Sequence, residues 1–358
     1  MLKKIDWYII RKFIGSYFFA LLLIVCIFII FDISERIDDF VTEKAPLGKI
    51  IFNYYLMFIP FFLNTFSPLF VFITVIFFTS KMAYNTEIIA ILSSGISFMR
   101  MMLPYFLASS FIFLFTLCLN HFIIPPANKV RIEFESKYLK KSFSRSGKNM
   151  HLQISPNVYM YMADFYSNAN RARYFSLEKY DNNQLLSKIM ADNATYDSEK
   201  HVWTLRNYFI RHISDSLETI VKGVEKDTVI NFSAEELRRK DNFIISMNYF
   251  ELQENIKELK MRGQNPNKAI LESYNRTSIP FSVFVLTLLG VSLSSRKVRG
   301  GIGMQIGLGI GISFAYILML RFSEVFMQVG VANPLLAAWI PNILFLVVAV
   351  FLYIKAPK

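Results

Sequence analysis

The chain has 358 residues, 54% of them hydrophobic and only 18% charged. A soluble domain is roughly 45–50% apolar and about 25% charged, so this composition excludes one or two soluble domains and excludes disorder as well. The 39 Lys+Arg against 27 Asp+Glu leave a net charge of +12, and the two cysteines, Cys26 and Cys118, both sit in apolar runs, which excludes a disulfide scaffold.

A helix that crosses the hydrocarbon core needs about 20 mostly apolar residues. Six uncharged runs reach that length: Phe13–Phe31, Ile50–Ser80, Met101–Asn128, Thr277–Ser295, Gly300–Leu320 and Val325–Ile354. The first is longer than the apolar core of a cleavable signal, and Asp32 and Glu35 follow it where a cleavage site would need small residues, so it reads as a retained span. It ends in Phe28-Ile29-Ile30-Phe31, and Phe66 and Pro68 fall in the middle of the second run. Such aromatic surface faces lipid, packs within a bundle or lines a cavity for acyl chains, and composition leaves the three open.

Between the second and third runs lies Lys81–Arg100, KMAYNTEIIAILSSGISFMR. Asn85 is placed to cap a short helix, Glu87 falls in its favourable first turn and Gly95 can end it. Ile88, Ile91 and Leu92 form an apolar stripe on a helix too short to span. Either it lies on the membrane surface, or it docks into the groove of an external motor with Glu87 offering an ion pair.

Lys129 to Arg276 is a stretch of 148 residues without a span, carrying 24 basic and 19 acidic side chains. It is the size of a domain. Asn157–Tyr161, Ala172–Tyr180, Lys188–Tyr196, Val202–Ile213 and Thr219–Val224 are short and rich in Tyr, Phe, Val and Ile, with Asn and Asp between them. The pattern predicts an all-β insert: a sandwich, a jelly roll or an open barrel. A helix follows, with Tyr249, Leu252, Ile256 and Leu259 as its stripe, Asn248 as its cap and Gly263 as its stop.

In the fifth run Gly303, Gly307 and Gly311 recur every four residues, a spacing that permits close helix approach, either as tight packing or as an interface that moves. Arg321 and Glu324, three apart, read as a local ion pair at that span's end.

No catalytic, cofactor or metal site is legible. Ser146-Gly147-Lys148-Asn149 is the nearest approach to a phosphate loop; it lacks the upstream Gly and the Ser/Thr after Lys, and reads as a solvated turn. His121, His151, His201 and His212 lack metal-ligand spacing, and no Gly-x-Ser-x-Gly elbow occurs. Ionisable groups are nearly absent from the spans, which argues against an ion-coupled carrier.

With six spans, one face of the membrane collects eleven Lys and Arg from the ends and loops: Lys3, Lys4, Arg11, Lys12, Lys81, Arg100, Arg296, Lys297, Arg299, Lys355 and Lys358. The opposite short loops hold four: Arg36, Lys44, Lys49 and Arg321. The positive-inside rule then places both termini in the cytoplasm and the insert outside. The basic balance thus reports topology, and nucleic acid is not needed to explain it.

In this layout the chain resembles the lipopolysaccharide-transport permeases of the LptF/LptG family: three helices, an external β-domain, three helices. SKMAYNTEIIAILSSGIS resembles the family's coupling helix, and ADNATYDSEKHVWTLRN, with Trp203, a hairpin of its external domain. Phe250–Gly263 followed by Ile279-Pro280-Phe281 resembles the lead into the fourth helix. GVANPLLAAWIPNILF resembles the start of the last helix and leans toward the LptG branch. The resemblance covers nearly the whole chain.

It implies a bacterial inner-membrane, multi-pass permease subunit of an ABC transporter that extracts lipopolysaccharide and hands it to a periplasmic bridge. It implies a membrane α-helical fold with a periplasmic jelly-roll-like domain: residues 1–128 holding helices 1–3 and the coupling helix (about 84–95), 129–276 the β-domain, and 277–358 helices 4–6. The partners implied are an LptB-type ATPase dimer, which would hold ATP and magnesium, a sister permease of the LptF type, and bridge proteins of the LptC/LptA type. Tyr84, Glu87, Ile88, Ile91 and Gly95 would belong to the ATPase-docking helix. The first and fifth helices would form a lateral gate, with Ile24, Phe28, Phe31, Arg36, Phe66, Gly303, Gly307 and Gly311 at the gate and acyl cavity. One departure stands out: the family can carry bases near the outer end of the first helix for substrate phosphates, whereas here Asp32, Glu35, Asp38 and Asp39 crowd it, with Arg36, Lys44 and Lys49 as the available bases. From the residues alone, the competing reading is a membrane scaffold or sensor whose β-domain binds a partner.

Overall fold

The computed structural model describes residues 3–139, 146–166, 169–182, 184–198, 200–214, 217–230, 232, 242–262, 264–295 and 301–356. Gly263 and Arg296 to Gly300 lie outside the described residues. The chain divides into two compact units, Met1–Arg131 with Ser246–Tyr249 and Asn267–Lys358, and Ile132–Ile245 with Phe250–Pro266.

Helix α1 runs Lys4–Thr42, α2 Leu47–Tyr84, short α3 Glu87–Ser93, and α4 Phe98–Tyr138. After the β-strands come α5 (Asn242–Ser246), α6 (Tyr249–Met261), α7 (Asn267–Ser294), α8 (Gly301–Gln328) and α9 (Pro334–Ile354). Six of these, α1, α2, α4, α7, α8 and α9, are long and apolar enough to cross a membrane. Each follows from one of the six uncharged runs, but α1 extends to 39 residues and α7 begins at Asn267, well before its run. The reason is that a helix need not stop where hydrocarbon does: charged flanks remain helical and pair locally, as Glu272 does with Arg276 at 3.5 Å. Both α2 and α4 contain π-helical stretches, Ile50–Tyr55 and Leu119–Ile123.

Among the described residues, two large clusters and one small one, Leu271 with Met327, Ala337 and Ala338, pack the helical unit. Phe13, Tyr17, Val71, Val75, Tyr105 and Ile112 join α1, α2 and α4. Phe72, Ile76, Leu286, Tyr316 and Phe345 join α2, α7, α8 and α9. Because apolar contact alone does not hold helices together in lipid, buried polar pairs matter more here. Asn64 and Asn120 exchange amide hydrogen bonds at 2.9 Å in both directions. Ser109 donates to Thr287 Oγ1 at 2.8 Å. Tyr316 donates to Asn342 Oδ1 at 2.9 Å, and Asn342 Nδ2 donates to the Ser278 carbonyl at 2.7 Å, tying α7, α8 and α9.

The second unit holds β1 (Ser146–Ser155), β2 (Val158–Tyr166), β3 (Arg171–Asp181), β4 (Gln184–Asp197), β5 (Val202–Ser214) and β6 (Leu217–Thr228), in sequential order, each antiparallel to the next. The all-β insert is therefore observed. Among the described residues every connection joins sequence neighbours, and the long return of a Greek key is not among them. β1 takes up Ser146 to Asn149, read from sequence as a turn; the missed signal was the alternation of Met150, Leu152 and Ile154 behind it.

One line of unpaired residues crosses all six strands. Asn149, Ala163, Tyr174, Asp192, Asn207 and Val224 are skipped without a shift of register at that line. On alternate strands the skipped residue is left-handed: φ is 50° at Asn149, 48° at Tyr174 and 50° at Asn207. Side chains alternate with period two, so a skipped residue exchanges the faces. The inward positions do change parity there: Met162 then Phe165, Ala172 then Phe175, Leu205 then the half-buried Tyr208. Both halves of the sheet thus feed one core, centred on Trp203. Gly223 beside this crease leaves room for the Tyr208 ring, whose hydroxyl would lie 2.5 Å from a Cβ there and would have to shift.

Candidate functional site

The short helix α3 is built differently from its sequence reading. Asn85 closes α2, and Thr86 is the N-cap of α3, at φ 62°. Asn85 instead donates from Nδ2 to Glu87 Oε1 at 3.3 Å. Gly95 terminates the turn as expected, at φ 85° with its N–H on the Leu92 carbonyl. Ile88 and Ile91 are buried, in a core that includes Ile9, Ile10, Phe13, Met82, Phe98 and Met101. They anchor α3 to its own bundle. The accessible side is Tyr84, Ile89, Ala90 and Ser93, with Glu87 half-buried at its edge.

Along the second half of α1 an aromatic ladder joins two of the expected residues. Phe28 stacks on Phe58 at 4.9 Å and meets Phe62 at 4.5 Å, and Phe62 meets Phe66 at 4.5 Å. The Arg131 guanidinium lies over Phe58 at 4.9 Å and Phe61 at 5.4 Å. Ile24 is half-buried beside this track. Phe31 does not join it: three residues further round the helix, it is 71% exposed. Phe58, Phe62 and Arg131 escaped the sequence reading, since a chain rich in Phe gives no sign of which rings meet.

One turn beyond Phe28, Asp32 is buried. Arg36 Nε donates to its Oδ1 at 2.9 Å, Tyr54 donates to the same oxygen at 3.3 Å, and the guanidinium lies 5.4 Å from the Tyr54 ring centroid. Arg36 is therefore engaged by the acid beside it, one turn away. A cavity of about 740 Å³ opens nearby, lined by Ile33, Ile37, Ile50, Leu56 and further apolar side chains, with Lys44 at its edge. Apolar lining with a single cation suits an acyl chain near an anionic group.

On α8, Cβ atoms added at Gly303, Gly307 or Gly311 would meet nothing within 4 Å. The expected tight packing does not occur at this stripe within the chain. Gly309, off the stripe, makes the close contact instead, against Ile76. Arg321 and Glu324 form the local pair at 3.1 Å.

The sheet carries its own cavity of about 880 Å³, lined by His151, Tyr159, Tyr161, Tyr174, Glu178, Lys188 and Arg262 among others. Lys188 Nζ lies 2.8 Å from Glu178 Oε1 and Tyr180 donates to Oε2 at 2.9 Å. The Lys188 ammonium above all, and then Tyr180, hold the Glu178 carboxyl below its ordinary range. His201 pairs with Tyr196 at 3.2 Å, and His151 packs on Tyr161 at 4.5 Å.

Six membrane-length helices with an antiparallel β-domain inserted after the third, and a short helix between the second and third, define a polytopic membrane protein of the permease class. The family model for the lipopolysaccharide export system permease LptF/LptG matches residues 7–355, and the chain belongs to that family. It is 19% identical over 362 residues to the lipopolysaccharide export system permease protein LptG of Escherichia coli strain K12, with 97% of this chain and 98% of that protein covered. The same identity and coverage hold for LptG of Escherichia coli O6:H1 strain CFT073.

Proposed function

We propose that this chain is the LptG-type permease of an ATP-driven exporter that lifts lipopolysaccharide out of the inner membrane. One observation carries the reading. Only 17% of the most apolar window of α1 and 22% of that of α8 is buried within the chain, against 67% for α7. Two spans with uncovered apolar faces, one bearing an open glycine stripe, suit a gate closed by a sister permease of the LptF type. Ile24, Phe28 and Phe66 line an acyl track there, joined by Phe58 and Phe62, with Gly303, Gly307 and Gly311 on the facing stripe. Arg36 shields Asp32, and phosphate pairing falls to Lys44 and Lys49 or to the sister subunit.

Both termini and α3 face the cytoplasm in this reading, following the eleven-to-four distribution of bases. Tyr84, Glu87, Ile89 and Ser93 meet an LptB-type ATPase, where ATP and magnesium bind. The β-domain faces the periplasm. Its last strand, β6, is exposed along nearly all its length and carries Leu217, Ile220, Val221 and Val224 uncovered. An apolar strand whose outer edge has no sheet neighbour among the described residues suits β-augmentation by a bridge protein of the LptC/LptA type.

The test is purification in mild detergent followed by mass spectrometry of proteins and lipids. A stoichiometric ATPase and bound glycolipid are expected; their absence would favour a scaffold or sensor. Glu87→Ala should leave insertion intact and weaken ATPase capture, and unchanged capture with unchanged lipid release would sink that role for Glu87.

A further inference from the structure

We propose that the Asp6–Arg100 ion pair is the joint through which movement of α3 reaches α1, so that both are positioning residues of the transport cycle; this rests on the transporter reading above. Asp6 is 1% exposed. Its Oδ1 accepts from Arg100 Nη1 at 2.8 Å and its Oδ2 from Nη2 at 2.6 Å, while the Lys3 backbone N–H donates to Oδ2 at 2.7 Å. A two-pronged fork fixes angle as well as distance, which a single hydrogen bond does not.

Arg100 stands in the first turn of α4, where its N–H bonds Ser97 Oγ at 3.3 Å. Only Ser94, Gly95, Ile96 and Ser97 separate that helix from α3. Ile91 and Ile96 border the same small cavity as Asp6 and Arg100. Along α3 itself, Ile88 and Ile91 share a core with Ile9, Ile10 and Phe13. α3 is thus held to α1 along its length and just after it.

α1 is suited to carry a displacement onward. It has no internal proline, whereas α2, α4, α7 and α9 each contain at least one. Its 39 residues make an unbroken rod of about 58 Å at 1.5 Å per residue, leading from Asp6 to Phe28, Asp32 and Arg36. A tilt imposed at Asp6 is therefore delivered at the aromatic ladder, in the manner of packed helices moving as rigid bodies.

The experiment uses the full permease–ATPase complex in lipid nanodiscs, with ATP hydrolysis and release of lipopolysaccharide to a soluble acceptor measured on the same sample. Arg100→Gln leaves the buried Asp6 charge unpaired, whereas Asp6→Asn leaves Arg100, whose side chain is 33% exposed; the double variant Asp6→Asn/Arg100→Gln removes both charges and with them the folding penalty. The double variant is expected to insert, hold the ATPase and hydrolyse ATP within about twofold of wild type, while release per ATP falls about tenfold or more. Arg100→Lys, which keeps the charge and loses the fork, is expected to fall between. Normal release per ATP in the double variant overturns the proposal, and so does a parallel loss of hydrolysis and release, which marks a plain structural staple. A wild-type complex without bound ATPase overturns the transporter reading itself, and is seen before any variant is made.

Discussion

Gly309 on α8 stands so close to Ile76 on α2 that a Cβ at Gly309 would lie 2.5 Å from Ile76 Cδ1. Ile76 is fully buried and has little room to turn. Gly309→Ala should therefore cost about 1–3 kcal/mol as overpacking. Alanine at Gly303, Gly307 or Gly311 should not lower the melting temperature of the purified chain, because nothing lies within 4 Å and alanine is the better helix former. If those three destabilise as much as Gly309 does, the open stripe is not open.

The two sides of α3 should respond oppositely. Ile88→Ala removes a buried side chain and should cost about 2–4 kcal/mol, lowering the yield of folded protein. Ile89→Asp changes a residue 55% exposed and should leave folding alone while weakening ATPase capture. Equal thermal stability of the two variants would contradict the orientation of the helix.

Trp203 donates from its indole N–H to the Phe232 carbonyl at 2.8 Å and stacks on Phe175 at 5.9 Å. Trp203→Phe keeps a ring but strands that buried carbonyl and opens space, so a loss of about 2–3 kcal/mol is expected. Hydrogen exchange of β3 to β5 provides the measurement: accelerated exchange confined to this sheet supports the assignment, and unchanged protection refutes it.

The β-domain should lose stability in acid through Glu178. Its carboxyl titrates below the ordinary 4.5 in the folded state, so it binds fewer protons than in the unfolded chain. The stabilisation is complete above that ordinary value and disappears as pH falls through the lower, folded one. At a quarter exposed, the pair contributes about 1 kcal/mol at most. Glu178→Gln should flatten the stability curve on the acid side of the ordinary value of 4.5. A curve as steep as the parent's would assign the acid response to other carboxylates.

The six spans and the β-insert were legible because each is written locally. Twenty uncharged residues mean a span wherever they fold, and short Tyr- and Val-rich segments between Asn and Asp mean strands. The candidate site was legible only in part. Phe28 and Phe66 were chosen as aromatic and do belong to one ladder, but only through Phe62, which nothing in the sequence marked. Ile88 and Ile91 were chosen as an apolar stripe, which they are; a stripe does not say whether it faces a partner or its own bundle. Asn85 and Thr86 compete for one cap, and the left-handed turn at Thr86 settled the choice.

By itself the sequence determined the number of spans and the inserted domain. Hydrophobicity acts on the membrane residue by residue, so its sum along the chain is enough. The tertiary structure alone decided which residues meet. The Asp6–Arg100 fork spans 94 positions, the Asn64–Asn120 amides 56, and the crease of the sheet is a line that exists only once six strands are aligned. Side-chain pairing depends on distance in space, and in this fold distance along the chain does not report it.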